Sequence, residues 1–438
     1  MEFTKFKYPT LDSLREDAAQ KGLTLPLSDD ISALAKPHEI NGRKVANRIV
    51  YHPMEGCDGT LSGEPDALTI RRYHRFAAGG PGIVWFEAVA IAHEGRANPR
   101  QLYLREDNLE DYKKIVHDIK SICMKENGFE PLIFMQATHS GRYSKPDGAA
   151  APIIAYNNPI FEKDNPIPAE RIVTDEHLMA LEEMMAASAV LAEKAGFDGV
   201  DIKACHRYLN CELLSAFTRE GKYGGSFENR TRFFLNCQAA VNAAVSKDFI
   251  VTSRMNAYDG FVYPYGFGVT EGNGIEMDLT EAKKLLGLLH ANGMGIVNIT
   301  MGNPYFNPHV NRPYDAGGYV PPEHPLEGVG RMLNGIGELQ AAVPDMQIVS
   351  TGYSYLREYA ANAGAAMLDA GHCEYVGVGR LNFAYPDFAK DAVKGAVDKK
   401  KGCLACGKCT EVMRAGSTPG CVVRDSEVYM PLYREYVK

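Results

Sequence analysis

The sequence holds no apolar run of about eighteen residues, the length a membrane-spanning helix requires. Its opening stretch, M-E-F-T-K-F-K-Y-P-T, has no apolar core of signal-peptide length. These two absences predict a cytoplasmic protein with no membrane partner. Positive charge is also scarce: 47 Lys and Arg stand against 55 Asp and Glu, for a formal net charge of −8. Nucleic acid and anionic lipid both select concentrated cation, so neither is expected as a partner and a small molecule is favoured. No G-x-G-x-x-G opens a helix, so no dinucleotide-binding domain is expected within the chain. Low-complexity tracts and short repeats are missing as well. Six of the ten cysteines (Cys57, Cys123, Cys205, Cys211, Cys237, Cys373) are scattered, as reduced thiols are and disulfide frameworks are not.

The other four cysteines crowd the C-terminal end. Cys403, Cys406 and Cys409 lie in C-L-A-C-G-K-C, and Cys421 follows a loop containing Gly416, Pro419 and Gly420. Thiolates two residues apart on a turn can converge on one centre, and a fourth from a Gly/Pro loop completes a four-sulfur site suited to iron–sulfur or to zinc. An iron–sulfur centre suggests a low-oxygen cell and a second redox group close by.

Upstream, short β-branched runs alternate with amphipathic stretches: Asn47–Pro53, Gly82–Ala90, Pro131–Ala137, Gly199–Ala204, Phe249–Arg254, Gly295–Thr300, Gln347–Thr351 and Tyr375–Gly379. Eight strand-then-helix units predict an α/β fold, a (β/α)8 TIM barrel, because parallel strands need crossover helices and eight strands close the sheet. The chain divides into an N-terminal extension (1–36), the barrel (37–395) and a cysteine-rich segment (396–438). The Pro- and Asn-rich segment Lys145–Thr174 reads as a hairpin or lid over the barrel mouth. Gly302–Gly330, dense in Gly, Pro and aromatics, reads as a second irregular loop on the same face.

The strand ends are too polar for a packed core: Gln136 and His139, then Lys203, His206 and Tyr208, then Arg254, then Gly379 and Arg380. Barrel enzymes carry their catalytic groups at that face. These residues sit in N-R-I-V-Y-H-P-M, F-M-Q-A-T-H-S-G-R-Y, G-F-D-G-V-D-I-K-A-C-H-R-Y-L, K-Y-G-G-S-F-E-N-R-T-R-F and V-G-V-G-R. The set resembles the Old Yellow Enzyme family of FMN-dependent barrels over roughly residues 37–395. The cysteine tail resembles that family's iron–sulfur branch, typified by 2,4-dienoyl-CoA reductase, although it reads C-x2-C-x2-C-x11-C where the branch has C-x2-C-x3-C-x11-C.

The resemblance implies that Pro53, Met54 and Ala88 line the flavin ring and that Gln136 bonds its pyrimidine edge. Arg254 faces the N1/O2 locus, and Gly352, Gly379 and Arg380 hold the phosphate. Tyr208 is implied as proton donor, with Lys203 and His206 where the family places a substrate-binding His/His or His/Asn pair. Lys203 has a second reading, as the partner of Asp201 or Glu212. Glu55, Arg207, Tyr305 and His309 are candidate substrate contacts. Arg207 replaces the family's usual glycine, and its charge suggests an anionic substrate. Cys403, Cys406, Cys409 and Cys421 are implied ligands of a [4Fe-4S] cluster. The activity implied is reduction of the C=C bond of an α,β-unsaturated carbonyl compound. Tyr143, Tyr208, Tyr305, Phe306, Tyr314 and Tyr353 suggest an aromatic-rich mouth and hence a flat substrate such as a cinnamate, flavone or steroid enone. Hydride comes from NAD(P)H docking over FMN, or electrons enter through the cluster from a donor protein; a homo-oligomer is compatible with either. Two other readings are open: an FMN/iron–sulfur amine dehydrogenase or demethylase, and a flavin-free zinc-binding barrel acting as a lyase or structural subunit.

Overall fold

The computed structural model describes residue 3, residues 5–272 and residues 274–437. A hairpin of β1 (His38–Ile40) and β2 (Arg43–Val45) precedes eight parallel strands. These are β3 (Ile49–Tyr51), β4 (Ile83–Ala90), β5 (Leu132–Thr138), β6 (Gly199–Ile202), β7 (Ile250–Asn256), β8 (Ile296–Thr300), β9 (Gln347–Ser350) and β10 (Tyr375–Val378). They pair in chain order, and β10 closes onto β3 with Val376 opposite Ile49. The fold is the (β/α)8 barrel expected from the alternation, with every anticipated strand present.

Parallel strands are buried on both faces, which is why they read as near-continuous apolar runs. Side chains pointing inward, among them Val50, Ile83, Trp85, Phe134, Ile250, Ile296, Val349 and Tyr375, fill the barrel, and Ile40 and Val45 of the hairpin join the same cluster. Outward-facing residues meet the helices; Phe86 stacks on Tyr73 at 4.2 Å. The β4–β5 register shifts between Phe86 and Ala88. That extra residue re-phases the strand: Ala88 faces the cleft, while Glu87 turns to Arg72 on the helix Ala67–Ala78.

The block Y-G-G-S-F-E-N-R, the strongest element of the family resemblance, is a helix start. Gly225 takes φ +82, Ser226 caps the helix Phe227–Ala244 through Asn229 N, and Arg230 ties Leu214 O to Glu281.

Both chain ends fold onto the barrel. In the N-terminal extension, Phe6 packs edge-on against Tyr355, with the Arg357 guanidinium 4.5 Å over its ring. The tail is clamped by Asp425, which accepts from Arg71 at 2.8 and 2.9 Å and from Arg75. Tyr429 lies directly on Gly420, where a Cβ would stand 2.1 Å from the ring, so only glycine fits.

Candidate active site

A cleft with about 1270 Å³ of open space lies over the C-terminal strand ends. Pro53, Met54, Glu55, Ala88, Gln136, Lys203, His206, Tyr208, Arg254, Tyr305, Gly352, Gly379 and Arg380, all anticipated from the sequence, line it.

The floor is organised by Asp201, whose carboxylate is fully buried at the end of β6. One oxygen accepts from Gln136 Nε2 at 2.6 Å and Trp85 Nε1 at 2.7 Å; the other accepts from Arg254 N at 2.7 Å. Burial pushes this carboxyl up to about 6, against those hydrogen bonds. Because the Gln136 amide nitrogen is committed to Asp201, its oxygen is the atom left for a ligand. Arg254 is buried beside it, and its Nε has no partner among the described residues. A buried guanidinium without a full set of acceptors is costly unless an anion or acceptor completes it.

Tyr208 occupies the opposite wall. Its hydroxyl donates to Glu55 at 3.3 Å and lies 3.1 Å from the Tyr305 hydroxyl. Glu55 also accepts from Asn98 at 3.1 Å. Burial holds the Tyr208 phenol well above its ordinary range and raises the Glu55 carboxyl, which the Lys203 charge partly offsets. Among the described residues Lys203 forms no ion pair with Asp201 or Glu212: the Asp201 oxygens accept from Gln136, Trp85 and Arg254 N, and Glu212 is taken by Arg142. Its Nζ sits 3.7 Å from the Tyr208 ring centroid. Burial and the charges of Arg254 and Lys203 keep His206 well below its usual range, hence neutral.

Arg207 is the main correction among the anticipated contacts. It is absent from the cleft: its Nη1 bonds Ser215 Oγ at 2.6 Å, Asp259 at 3.0 Å and Tyr265 O at 3.1 Å. Its φ is +59, following His206 at +63, so the chain keeps the left-handed turn where glycine is usual. A non-glycine residue there costs about 1–2 kcal/mol, and the turn directs the guanidinium into the buried pair with Asp259. His309 is also outside the cleft, bonded to the Tyr319 hydroxyl at 2.5 Å. Of the expected aromatic mouth, Tyr208 and Tyr305 reach the cleft, joined by Tyr355. Tyr143 stacks behind Tyr305 at 4.1 Å, Phe306 packs on Phe161 and Phe261, Tyr314 bonds Tyr319 O, and Tyr353 bonds Ser350.

Lys145–Thr174 is not a lid. It forms a bridge between Ile154 and Ile172 and a short helix, Pro159–Glu162, and packs through Phe161 against the Arg142 and Arg207 guanidiniums. No residue of it lines the cleft. The cover comes from the loop after β8, through Pro304, Tyr305, Asn311, Arg312 and Pro313, and from the C-terminal segment, through Cys403, Ala405, Cys409, Thr410, Met413 and Pro419. The helix Pro325–Ala342 already begins inside the stretch expected to be irregular.

A second cavity of about 410 Å³ adjoins the cleft, and Cys403, Cys406, Cys409 and Cys421 all line it. Among the described residues no three His, Cys, Asp or Glu side chains are grouped so as to hold a metal ion. Arg312, Arg380, Phe383, Cys403, Ala405 and Cys409 face both spaces. Arg380 donates to Cys409 Sγ at 3.1 Å and to Thr410 Oγ1 at 2.7 Å. Arg312 is the residue missed from sequence. It lies in the aperiodic run N-P-H-V-N-R-P-Y, and its one signal is an isolated cation among Pro, Asn and aromatics. His52, Thr300, Thr351 and Ser354 are further lining residues that sequence reading passed over.

Among the described residues no helix is long and apolar enough to cross a membrane. The chain is similar to the NADH oxidase of Thermoanaerobacter brockii, at 25% identity over 90% of this chain and 56% of that protein. It is 29% identical to the NADPH dehydrogenase of Clostridium acetobutylicum over 59% of this chain and 73% of that protein. The chain thus spans little more than half the length of the NADH oxidase it matches. Among solved structures it resembles a 2-naphthoyl-CoA reductase complex with 2-naphthoyl-CoA, with TM-score 0.73 and 20% identity over 93% of this chain and 58% of that one. It also resembles the Old Yellow Enzyme homologue of Zymomonas mobilis, with TM-score 0.62 and 21% identity over 83% of this chain and 93% of that one. Residues 33–292 match the NADH:flavin oxidoreductase / NADH oxidase family, and with the barrel and its polar strand ends this shows that the chain belongs to that family.

Proposed function

We propose that this protein is an FMN-dependent ene-reductase that uses NAD(P)H or a protein donor to reduce the C=C bond of an α,β-unsaturated carbonyl compound. The observation that carries this reading is the Tyr208 hydroxyl, held at the cleft wall between Glu55 and Tyr305, with Lys203 and His206 beside it.

The residues fit FMN. Gln136 offers a carbonyl oxygen to an imide N–H, and Arg254 offers an incompletely paired cation to an electron-rich ring edge. Pro53, Met54 and Ala88 supply an apolar wall. Gly352, Gly379 and Arg380 lie together at the other end of the cleft, after β9 and β10, where such barrels bind phosphate. A Cβ at Gly352 would stand 2.7 Å from Met332 Sδ, and one at Gly379 3.1 Å from Met54 Sδ. When bound, FMN would supply the hydride chemistry.

The chain's own side chains do the rest. Lys203 and His206 hold the carbonyl oxygen as negative charge develops on it. Tyr208, neutral at any working pH, gives its proton to the carbon beside the carbonyl, a transfer worth on the order of 10²–10⁴-fold. Glu55 and Tyr305 fix the hydroxyl's direction and stand ready to return the proton. With Arg254 and Arg380 given to FMN, Lys203 and Arg312 are left in the cleft against one carboxylate, Glu55, whose charged form burial disfavours. That balance favours an oxygen-bearing or anionic substrate and disfavours a cationic amine. A flat aromatic or polycyclic enone or enoate suits the space beside Tyr208, Tyr305 and Tyr355, and one similar solved structure is a reductase in complex with 2-naphthoyl-CoA.

The four cysteines line one cavity, and four thiolates in a C-x2-C-x2-C-x11-C run are a donor set that a [4Fe-4S] cluster takes. Reoxidation of the reduced flavin by a panel of enones and enoates tests the activity. Turnover of at least one is expected; no turnover of any unsaturated carbonyl compound removes the reading.

A further inference from the structure

The outer rim of the cysteine cavity is strongly basic in a chain that is otherwise acidic. Across residues 394–424 there are seven Lys and Arg against two carboxylates, Asp398 and Glu411, although the whole chain carries −8. The cations are gathered at the cavity by structure as well as by sequence. Lys408 and Arg424 line it, and Arg424 Nε donates to Gly402 O at 3.3 Å, which brings the Lys399–Lys401 turn against the same rim. Lys399, Lys400, Lys401 and Arg424 are exposed. Of the two carboxylates, Glu411 is exposed and accepts from the Tyr433 hydroxyl at 2.6 Å, and Asp398 is half-buried and accepts from Lys400 N at 2.8 Å; Lys401 also reaches Asp391 at 3.5 Å.

The cavity also has two faces. Inward, it shares Arg312, Arg380, Phe383, Cys403, Ala405 and Cys409 with the cleft. All four cysteines are partly exposed, and Lys408 and Arg424 line the cavity beside Cys406 and Cys421, which do not face the cleft. A centre held there would lie beside the cleft, under a rim on which the exposed cations Lys399, Lys400, Lys401 and Arg424 outnumber the exposed carboxylate Glu411.

We infer that the Lys399–Lys401 turn, Lys408 and Arg424 form the docking face of a small acidic one-electron carrier protein that feeds the cysteine-bound centre. The inference rests on the iron–sulfur reading above. Each encounter oxidises the carrier by one electron and reduces the centre by one. Two encounters and two protons from solvent balance the saturation of one C=C bond. Opposed charges at such a face raise association rates roughly 10- to 1,000-fold, an advantage that salt removes within a Debye length of about 10 Å at 0.1 M.

The test uses anaerobically purified holoenzyme whose iron and flavin have first been assayed, with a bacterial 2[4Fe-4S] ferredoxin as probe. Calorimetric binding of the oxidised ferredoxin and stopped-flow oxidation of the reduced ferredoxin are compared for wild type and the triple variant K399E/K400E/K401E. These three lysines touch neither cleft nor cysteines, so the cluster spectrum and reduction by dithionite should be unchanged. Expected are binding that weakens at least about tenfold between about 20 and 300 mM salt, and a loss of about tenfold or more in the variant at low salt. Iron-free protein would defeat the cluster reading. An intact cluster with ferredoxin binding and oxidation undetectable, or unaffected by salt and by charge reversal, would overturn the docking face while leaving the cluster reading standing.

Discussion

Replacing Tyr208 by Phe separates the proton from everything else at the site. The substitution deletes one hydroxyl, and with it a 3.3 Å bond to Glu55 and a 3.1 Å contact with Tyr305. The ring keeps its place, since Lys203 lies 3.7 Å over its centroid and Tyr143 packs at 5.9 Å. Neither lost contact is shorter than 3.1 Å, so the stability change should be about 1 kcal/mol or less. The kinetic effect should be far larger. Loss of the proton donor removes on the order of 10²–10⁴-fold, or roughly 3–5 kcal/mol of barrier lowering, and it should fall on one half of the catalytic cycle. Flavin reduction, whether by NAD(P)H or by the carrier protein, needs no proton from Tyr208 and should proceed at the wild-type rate, while reoxidation by the enone should slow by the full factor. Stopped-flow absorbance at the flavin band reads each half separately. Reoxidation within about threefold of wild type would refute the assignment, as would equal slowing of both halves.

Arg254→Met removes a buried, incompletely paired guanidinium, so the flavin-free protein should be as stable as wild type or more so, while FMN dissociation, read by fluorescence, should increase about tenfold or more; tighter FMN binding would contradict the role given to Arg254. Arg72 bonds Asp58 at 2.5 and 3.0 Å and Glu87 at 2.5 Å, all buried, and the Glu87 carboxyl is already pushed up to about 7 by burial. Arg72→Met should therefore cost about 3–5 kcal/mol in denaturant unfolding, and a loss below about 1 kcal/mol would contradict the accounting. Burial raises the folded pKa of Glu55, so the stability associated with its neutral form is present below the ordinary carboxylate range and is lost as pH rises through the raised value. Thermal unfolding of Glu55→Gln should lack that decline, and parallel pH profiles for the two proteins would refute it. Cys421→Ser should lose most of the iron and keep FMN, measured by metal analysis and flavin release; full iron retention would remove Cys421 from the ligand set.

The barrel was legible because strands buried on both faces must be apolar along their whole length, which leaves runs such as I-V-W-F-E-A-V-A bounded by Gly and Pro. The site was legible where it sits at strand tips, since Gln136, Lys203 and Arg254 are long polar side chains near or just past the ends of β5, β6 and β7. Side-chain direction was not. Two consecutive left-handed residues, His206 and Arg207, turn Arg207 toward Asp259, and nothing in the order of residues announces that rotation. Arg312 escaped because its loop has no period, and proximity between the loop after β8 and the C-terminal segment is created only by the closed barrel. The glycine-rich Y-G-G-S-F-E-N-R block shows the reverse case: highly recognisable, yet it serves a helix start and an Arg230 clamp rather than the cleft.

We propose that one chain holds a flavin across the strand tips and an iron–sulfur centre beside it. Anaerobic purification followed by an absorption spectrum with flavin and iron assays tests this directly. About one FMN and about four irons per chain are predicted; colourless protein containing neither, after reconstitution with FMN, iron and sulfide, would contradict the account.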